Sequence, residues 1–120
     1  MQGLGPLVLV VDDDTSLRLL ARVNLELEGF VVREAANVDQ ARAAVAEARP
    51  DVVLLDVHLG GLTSGDLLDE LRAAGIPVAL VTGTADLEEL RGRADDVLVK
   101  PFLPESLAAT ARRLATVRDS

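Results

Sequence analysis

The chain has 120 residues, no cysteine and a formal net charge of -8, which describes one domain able to bury a core without disulfides or structural metal. The acidic balance argues against direct nucleic-acid binding, which needs clustered Lys and Arg, and favours a divalent cation or a basic protein face. Two Phe with no Trp or Tyr leave no base-stacking or carbohydrate platform, so the core must be Leu, Val and Ala.

No basic apolar leader opens the sequence, and no apolar run approaches the ~20 residues of a membrane span. Cysteine-free composition agrees with a reducing compartment. A cytoplasmic location without a membrane partner is the expectation.

Leu7-Val8-Leu9-Val10-Val11 reads as a buried strand and ends in Asp12-Asp13-Asp14. From about Ser16 to Glu28 the pattern is helical, with Leu20, Val23 and Leu27 at i, i+3 and i+7, and Gly29 stands where a left-handed cap falls. Phe30 to Glu34 is a short strand. Asn37 with Gln40 resembles a capping box and opens a helix whose Val38, Ala41, Val45 and Ala48 share a face.

Val52-Val53-Leu54-Leu55 is an apolar run entered through Arg49-Pro50-Asp51 and ended by Asp56, with the loop Val57-His58-Leu59-Gly60-Gly61 behind it. Such a run suits a strand covered on both faces. Leu67, Leu68 and Leu71 mark a third helix stopped at Gly75. Pro77 to Val81 is the fourth strand, ending at Thr82-Gly83-Thr84. A brief helical stretch near Asp86 to Arg91 leads to Val97-Leu98-Val99, the fifth strand, and then to Lys100-Pro101-Phe102. Pro104 suits a first helical turn, and Leu107, Ala111, Leu114 and Ala115 face the core from the last helix. Strand and helix alternate throughout, which predicts an α/β fold: a doubly wound five-stranded parallel sheet with right-handed crossovers and helices on both faces.

The C-terminal ends of parallel strands share one edge, with neighbours roughly 4.8 Å apart. Asp12, Asp13, Asp56, Thr82 and Lys100 all fall at such ends, and ligands bind outside that edge. Unit charges ~4 Å apart cost about 4 kcal/mol per pair at an effective dielectric near 20, so clustered carboxylates call for a divalent cation, and Mg2+ suits them. With Lys100 and the Thr82 hydroxyl beside it, the edge can hold a phosphoryl group while one Asp attacks phosphorus.

Leu9-Val10-Val11-Asp12-Asp13-Asp14, Val53-Leu54-Leu55-Asp56, Val81-Thr82-Gly83 and Val99-Lys100-Pro101-Phe102 occur in this order, each at a strand end. Through them the chain resembles the receiver domain of two-component response regulators, of the chemotaxis-type single-domain fold, from Val8 to about Val117. The resemblance implies a flavodoxin-like strand order 2-1-3-4-5 and one receiver domain over residues 1–120, with its core at about 7–117. It implies that Asp56 accepts a phosphoryl group from a phosphohistidine on a sensor histidine kinase or histidine phosphotransfer protein. Magnesium would be held by Asp13 directly, Asp12 through a bound water, Asp56, and the backbone carbonyl of His58. Lys100 would contact the phosphoryl oxygens, and Thr82 would swing inward and signal to the face formed by the fourth helix, fifth strand and fifth helix. His58 and Thr84 would flank the group and tune hydrolysis, and the Lys100-Pro101 bond would be cis. Catalysis would be confined to self-phosphorylation and self-dephosphorylation, so the chain is not expected to be an enzyme of a diffusible metabolite. The downstream protein target, the stimulus and the oligomeric state stay open.

Several positions depart from the family pattern. Val97 stands where many receivers carry an aromatic switch residue. Thr82 and Lys100 are 18 positions apart, about four fewer than expected, or roughly one helical turn. Gly65 lies nine positions after Asp56, about one later than usual, and Gly60 replaces a frequent proline. Val97 and the short interval sustain a second possibility, a receiver used only for docking. A third is a magnesium-dependent phosphohydrolase of the haloacid-dehalogenase type with Asp12 as nucleophile; no cap domain and no acidic pair after Lys100 count against it. Asp14 reads as a helix-start acid, the His58 side chain as solvent-facing, and Arg112-Arg113 as solvating the last helix and complementing its dipole.

Overall fold

Short β-branched and leucine runs build the sheet because their side chains pack on both faces of a pleated strand. In the computed structural model, which describes residues 5–59, 62, 63, 65–83, 92, 94–100 and 102–118, these runs are β1 (Leu7–Val11), β2 (Val31–Ala35), β3 (Val52–Asp56), β6 (Val78–Thr82) and β7 (Asp96–Val99). They form one parallel sheet in the order β2-β1-β3-β6-β7, the expected flavodoxin-like arrangement. After β3 the two-residue strands β4 (His58–Leu59) and β5 (Leu62–Thr63) pair antiparallel, where the sequence suggested only a loop.

Four helices are described: α1 (Thr15–Leu27), α2 (Val38–Glu47), α3 (Gly65–Ala73) and α4 (Pro104–Arg118). Alternation along the strands splits the core into two layers. Val8, Val10, Val52, Leu54, Ala79 and Val81 meet α1 and α4 on one face. Leu9, Val11, Val53, Leu55, Val78 and Leu80 meet α2 and α3 on the other.

Local chemistry sets the helix ends. Asp14 caps α1, its Oδ1 accepting from Ser16 N at 2.9 Å and Leu17 N at 3.2 Å. Asn37 caps α2 through Gln40 N at 2.8 Å, while the Gln40 side chain accepts from Ala36 N at 2.8 Å, one residue before the cap that a standard capping box would engage. Gly29 and Gly75 close α1 and α3 at φ +94° and +78°, a region costly for residues with a Cβ. Between α2 and α3, Arg42 reaches both Glu70 carboxylate oxygens, which holds the Glu70 carboxyl below its usual range.

The first helix forms where its apolar spacing predicts, but the stripe Leu20, Val23 and Leu27 that marks it points outward, with exposures of 45%, 46% and 78%, and α1 packs inward through Ala21 and Leu25. Arg18 and Arg22 flank that buried face and form ion pairs with Glu34 on β2. Arg112 and Arg113 are also more than solvating charges. Arg112 donates to the Glu28 backbone oxygen at 3.0 Å and lies 5.3 Å from the Phe30 ring centre, and Arg113 pairs with Asp96.

Val97 packs partly buried against the α2/α3 layer. The helical stretch near Asp86 to Arg91, Gly60, Gly61, Thr84, the His58 side chain and Pro101 with its peptide isomer lie outside the described residues. Among the described residues, no helix is long and apolar enough to cross a membrane.

Candidate functional site

The strand register carries the polar residues to one edge. Val11 pairs with Leu55, so Asp12, the next residue, comes alongside Asp56. Asp56 pairs with Val81, one residue before Thr82, and Thr82 pairs with Val99. Lys100 N then donates to Thr82 O at 2.8 Å. Asp12, Asp56 and Thr82 are buried while Asp13 is exposed.

Carboxylate oxygens of Asp12, Asp13 and Asp56 all lie within 4.8 Å of one another. Lys100 Nζ stands 3.7 Å from Asp12 Oδ2 and 3.6 Å from Asp56 Oδ1, distances of ion pairing rather than hydrogen bonding. Three carboxylates and one ammonium leave negative charge in excess. The floor beneath is apolar: a cavity of about 20 Å³, lined by Val10, Leu54, Val81 and Phe102 among others, lies under Asp12. The side away from this floor is where a cation can approach the carboxylates. A hard divalent cation suits this set, since all three carboxylates offer oxygen donors close together.

The turn after β1 is tied down from several directions. Asp12 N donates to Ala35 O at 3.1 Å, and Asp12 Oδ1 accepts from Asp14 N at 2.9 Å. Arg18 Nη1 donates to the Asp12 backbone oxygen at 2.7 Å, and Arg18 Nε to Glu34 Oε1 at 3.2 Å. Arg22 Nη1 donates to Glu34 Oε2 at 3.0 Å and Arg22 Nε to Glu26 Oε2 at 3.2 Å, contacts that hold its guanidinium even more firmly protonated than usual.

Asp12, Asp13, Asp56 and Lys100 thus lie together, with Thr82 next to them through the register. The His58 backbone belongs to the β4/β5 hairpin that follows Asp56. Sequence reasoning passed over Arg18 and Glu34. Their signal was an acid near the end of β2 and two arginines at i and i+4 on α1.

Residues 8–112 match the family described as response regulator receiver domain. The "DNA-binding response regulator MtrA" of Mycobacterium tuberculosis is 41% identical over 110 residues, covering 88% of this chain and 48% of that protein. The "Phosphate regulon transcriptional regulatory protein PhoB" of Pseudomonas aeruginosa is 34% identical over 113 residues, covering 88% and 49%. The chain therefore spans about half the length of these curated relatives. Among solved structures, the receiver domain of NtrX from Brucella abortus superposes with a TM-score of 0.83 at 34% identity, covering 91% of this chain and 98% of that one. Vibrio cholerae chemotaxis protein CheY4 gives 0.82 at 31% identity, covering 92% and 98%. With the whole sheet, its strand order and the acidic edge included in the matched span, the chain belongs to the response regulator receiver domain family.

Proposed function

We propose that Asp56 is the phosphoacceptor of a two-component signalling switch. The observation that carries this is Lys100 Nζ poised between Asp56 and Asp12, at 3.6 and 3.7 Å, with a third carboxylate beside them. An Asp56 oxygen attacks the phosphorus of a phosphohistidine on a sensor histidine kinase or phosphotransfer protein. The new O–P bond forms as the N–P bond breaks, and the imidazole leaves and takes up a proton. The product is an acyl phosphate on Asp56, which water later cleaves to carboxylate and inorganic phosphate.

Asp12, Asp13, Asp56 and the His58 carbonyl would hold Mg2+, which when bound neutralises charge on the carboxylates and the incoming phosphoryl oxygens. The Lys100 ammonium takes a phosphoryl oxygen as charge moves off Asp56. The Thr82 hydroxyl, next to Asp56 by register, accommodates the product and passes its state to the partner-binding surface. Residues 7–117 work as one receiver unit whose catalysis is limited to its own phosphorylation and dephosphorylation. MtrA is described as DNA-binding, yet a charge of -8 makes this domain a poor ligand for a phosphate backbone, so protein partners are favoured.

Intact-protein mass after incubation with acetyl phosphate tests the proposal. The parent is expected to gain one phosphoryl group only with magnesium, and Asp56→Asn to gain none. An unlabelled parent, under conditions that label a control receiver, contradicts phosphoacceptance and favours a docking module.

A further inference from the structure

Asp13 is the exposed member of the acidic triad, whereas Asp12 and Asp56 are fixed by burial. The backbone that carries Asp13 is one of the things that set where its carboxylate stands. The Asp12 carbonyl and the Asp13 N–H belong to one planar peptide unit. A donor that fixes the Asp12 oxygen also fixes the direction in which the chain enters Asp13.

That donor is Arg18, at 2.7 Å. Its side chain is only 14% exposed, and it uses separate nitrogens for the Asp12 oxygen, Glu34 Oε1 at 3.2 Å and Thr15 Oγ1 at 3.4 Å. Glu34 is itself held on its second oxygen by Arg22 at 3.0 Å. The planar guanidinium spans these acceptors with a fork that a lysine ammonium does not reproduce.

We propose that Arg18 is a positioning residue for the acidic edge: anchored on Glu34, it grips the Asp12 carbonyl and so sets how the Asp13 carboxylate is presented to a divalent cation. This rests on the reading of that edge as a magnesium-assisted phosphoacceptor site. A purely electrostatic role has the opposite sign. A cation close to three carboxylates opposes the binding of another, so removing it as a mere charge tightens Mg2+ binding. Removing a grip on the ligand-bearing turn weakens it.

The test is calorimetric Mg2+ titration of the parent, Arg18→Lys, Arg18→Met and Glu34→Gln, with a thermal melt of each metal-free protein. Both Arg18 variants are expected to bind Mg2+ about tenfold more weakly, as when partners behind metal ligands are removed, and Glu34→Gln is expected to show a smaller loss. Unchanged or tighter binding by Arg18→Lys overturns the proposal whatever its melting temperature, because a merely structural arginine changes the melt and leaves the affinity alone. If neither Arg18 variant folds, Glu34→Gln decides: it keeps Arg18 but weakens its anchor, and parental affinity there overturns the proposal. A parent that binds no Mg2+ fails at the earlier step and overturns the metal-site reading itself.

Discussion

Leu54→Ala is expected to lower the free energy of unfolding by about 3–4 kcal/mol, the range for truncating a buried leucine where neighbours close the gap only in part. Leu54 is 2% exposed on β3, the middle strand of the sheet. It pairs with Val10 on one side and Ala79 on the other and belongs to the layer that receives Leu107 and Ala111 from α4. Helices cover both faces of this sheet, so β3 has little freedom to collapse into the space left by the missing methyls. A chain of this length should lose roughly 10–20 °C of melting temperature. Denaturant unfolding gives the number, and a loss below about 1 kcal/mol would contradict the packing. Leu27→Ala makes the same chemical change at a residue 78% exposed, where an effect within about 0.5 kcal/mol is expected. The pair also tests which face of α1 is buried.

Magnesium should stabilise the parent markedly, and Asp13→Asn should remove most of that gain. A ligand at about 100 times its dissociation constant adds about 2.7 kcal/mol, or roughly 10 °C for a domain of this size. Asp13, exposed and within 4.8 Å of the other two carboxylates, can be neutralised without opening a cavity. Without metal, Asp13→Asn loses repulsion from its neighbours and should melt at or above the parent temperature. With saturating magnesium the order reverses, because the parent rises far more than the variant. Thermal melts with and without magnesium decide it, and equal metal-induced shifts in the two proteins would contradict the assignment of Asp13.

The sheet was legible because four of its five strands carry a short apolar run that gives way to a polar residue, and a run such as Val52 to Leu55 has little else it can become in a chain of alternating elements. The convergence of Asp12, Asp56 and Lys100 followed from topology, since parallel strands deliver their C-terminal residues to one side. The inward face of α1 was harder. That helix carries two apolar stripes, Leu20-Val23-Leu27 and Leu17-Ala21-Leu25, and periodicity alone cannot rank them. The choice depends on how Ala21 and Leu25 fit the core layer and on Arg18 and Arg22 meeting Glu34 of β2, contacts between residues 16 and 12 positions apart. Arg112 is similar: its partners Glu28 and Phe30 lie just beyond the C-terminal end of α1, so sequence proximity offered no clue. The β4/β5 hairpin escaped notice because two-residue strands carry too little pattern to register.

The central claim is that the acyl phosphate forms on Asp56. Borohydride reduces an aspartyl phosphate to homoserine, leaving a mark that peptide mapping can place. After treatment with acetyl phosphate and magnesium, homoserine at position 56 is predicted, with aspartate retained at positions 12 and 13. Homoserine at position 12 would contradict the account and identify Asp12 as the nucleophile.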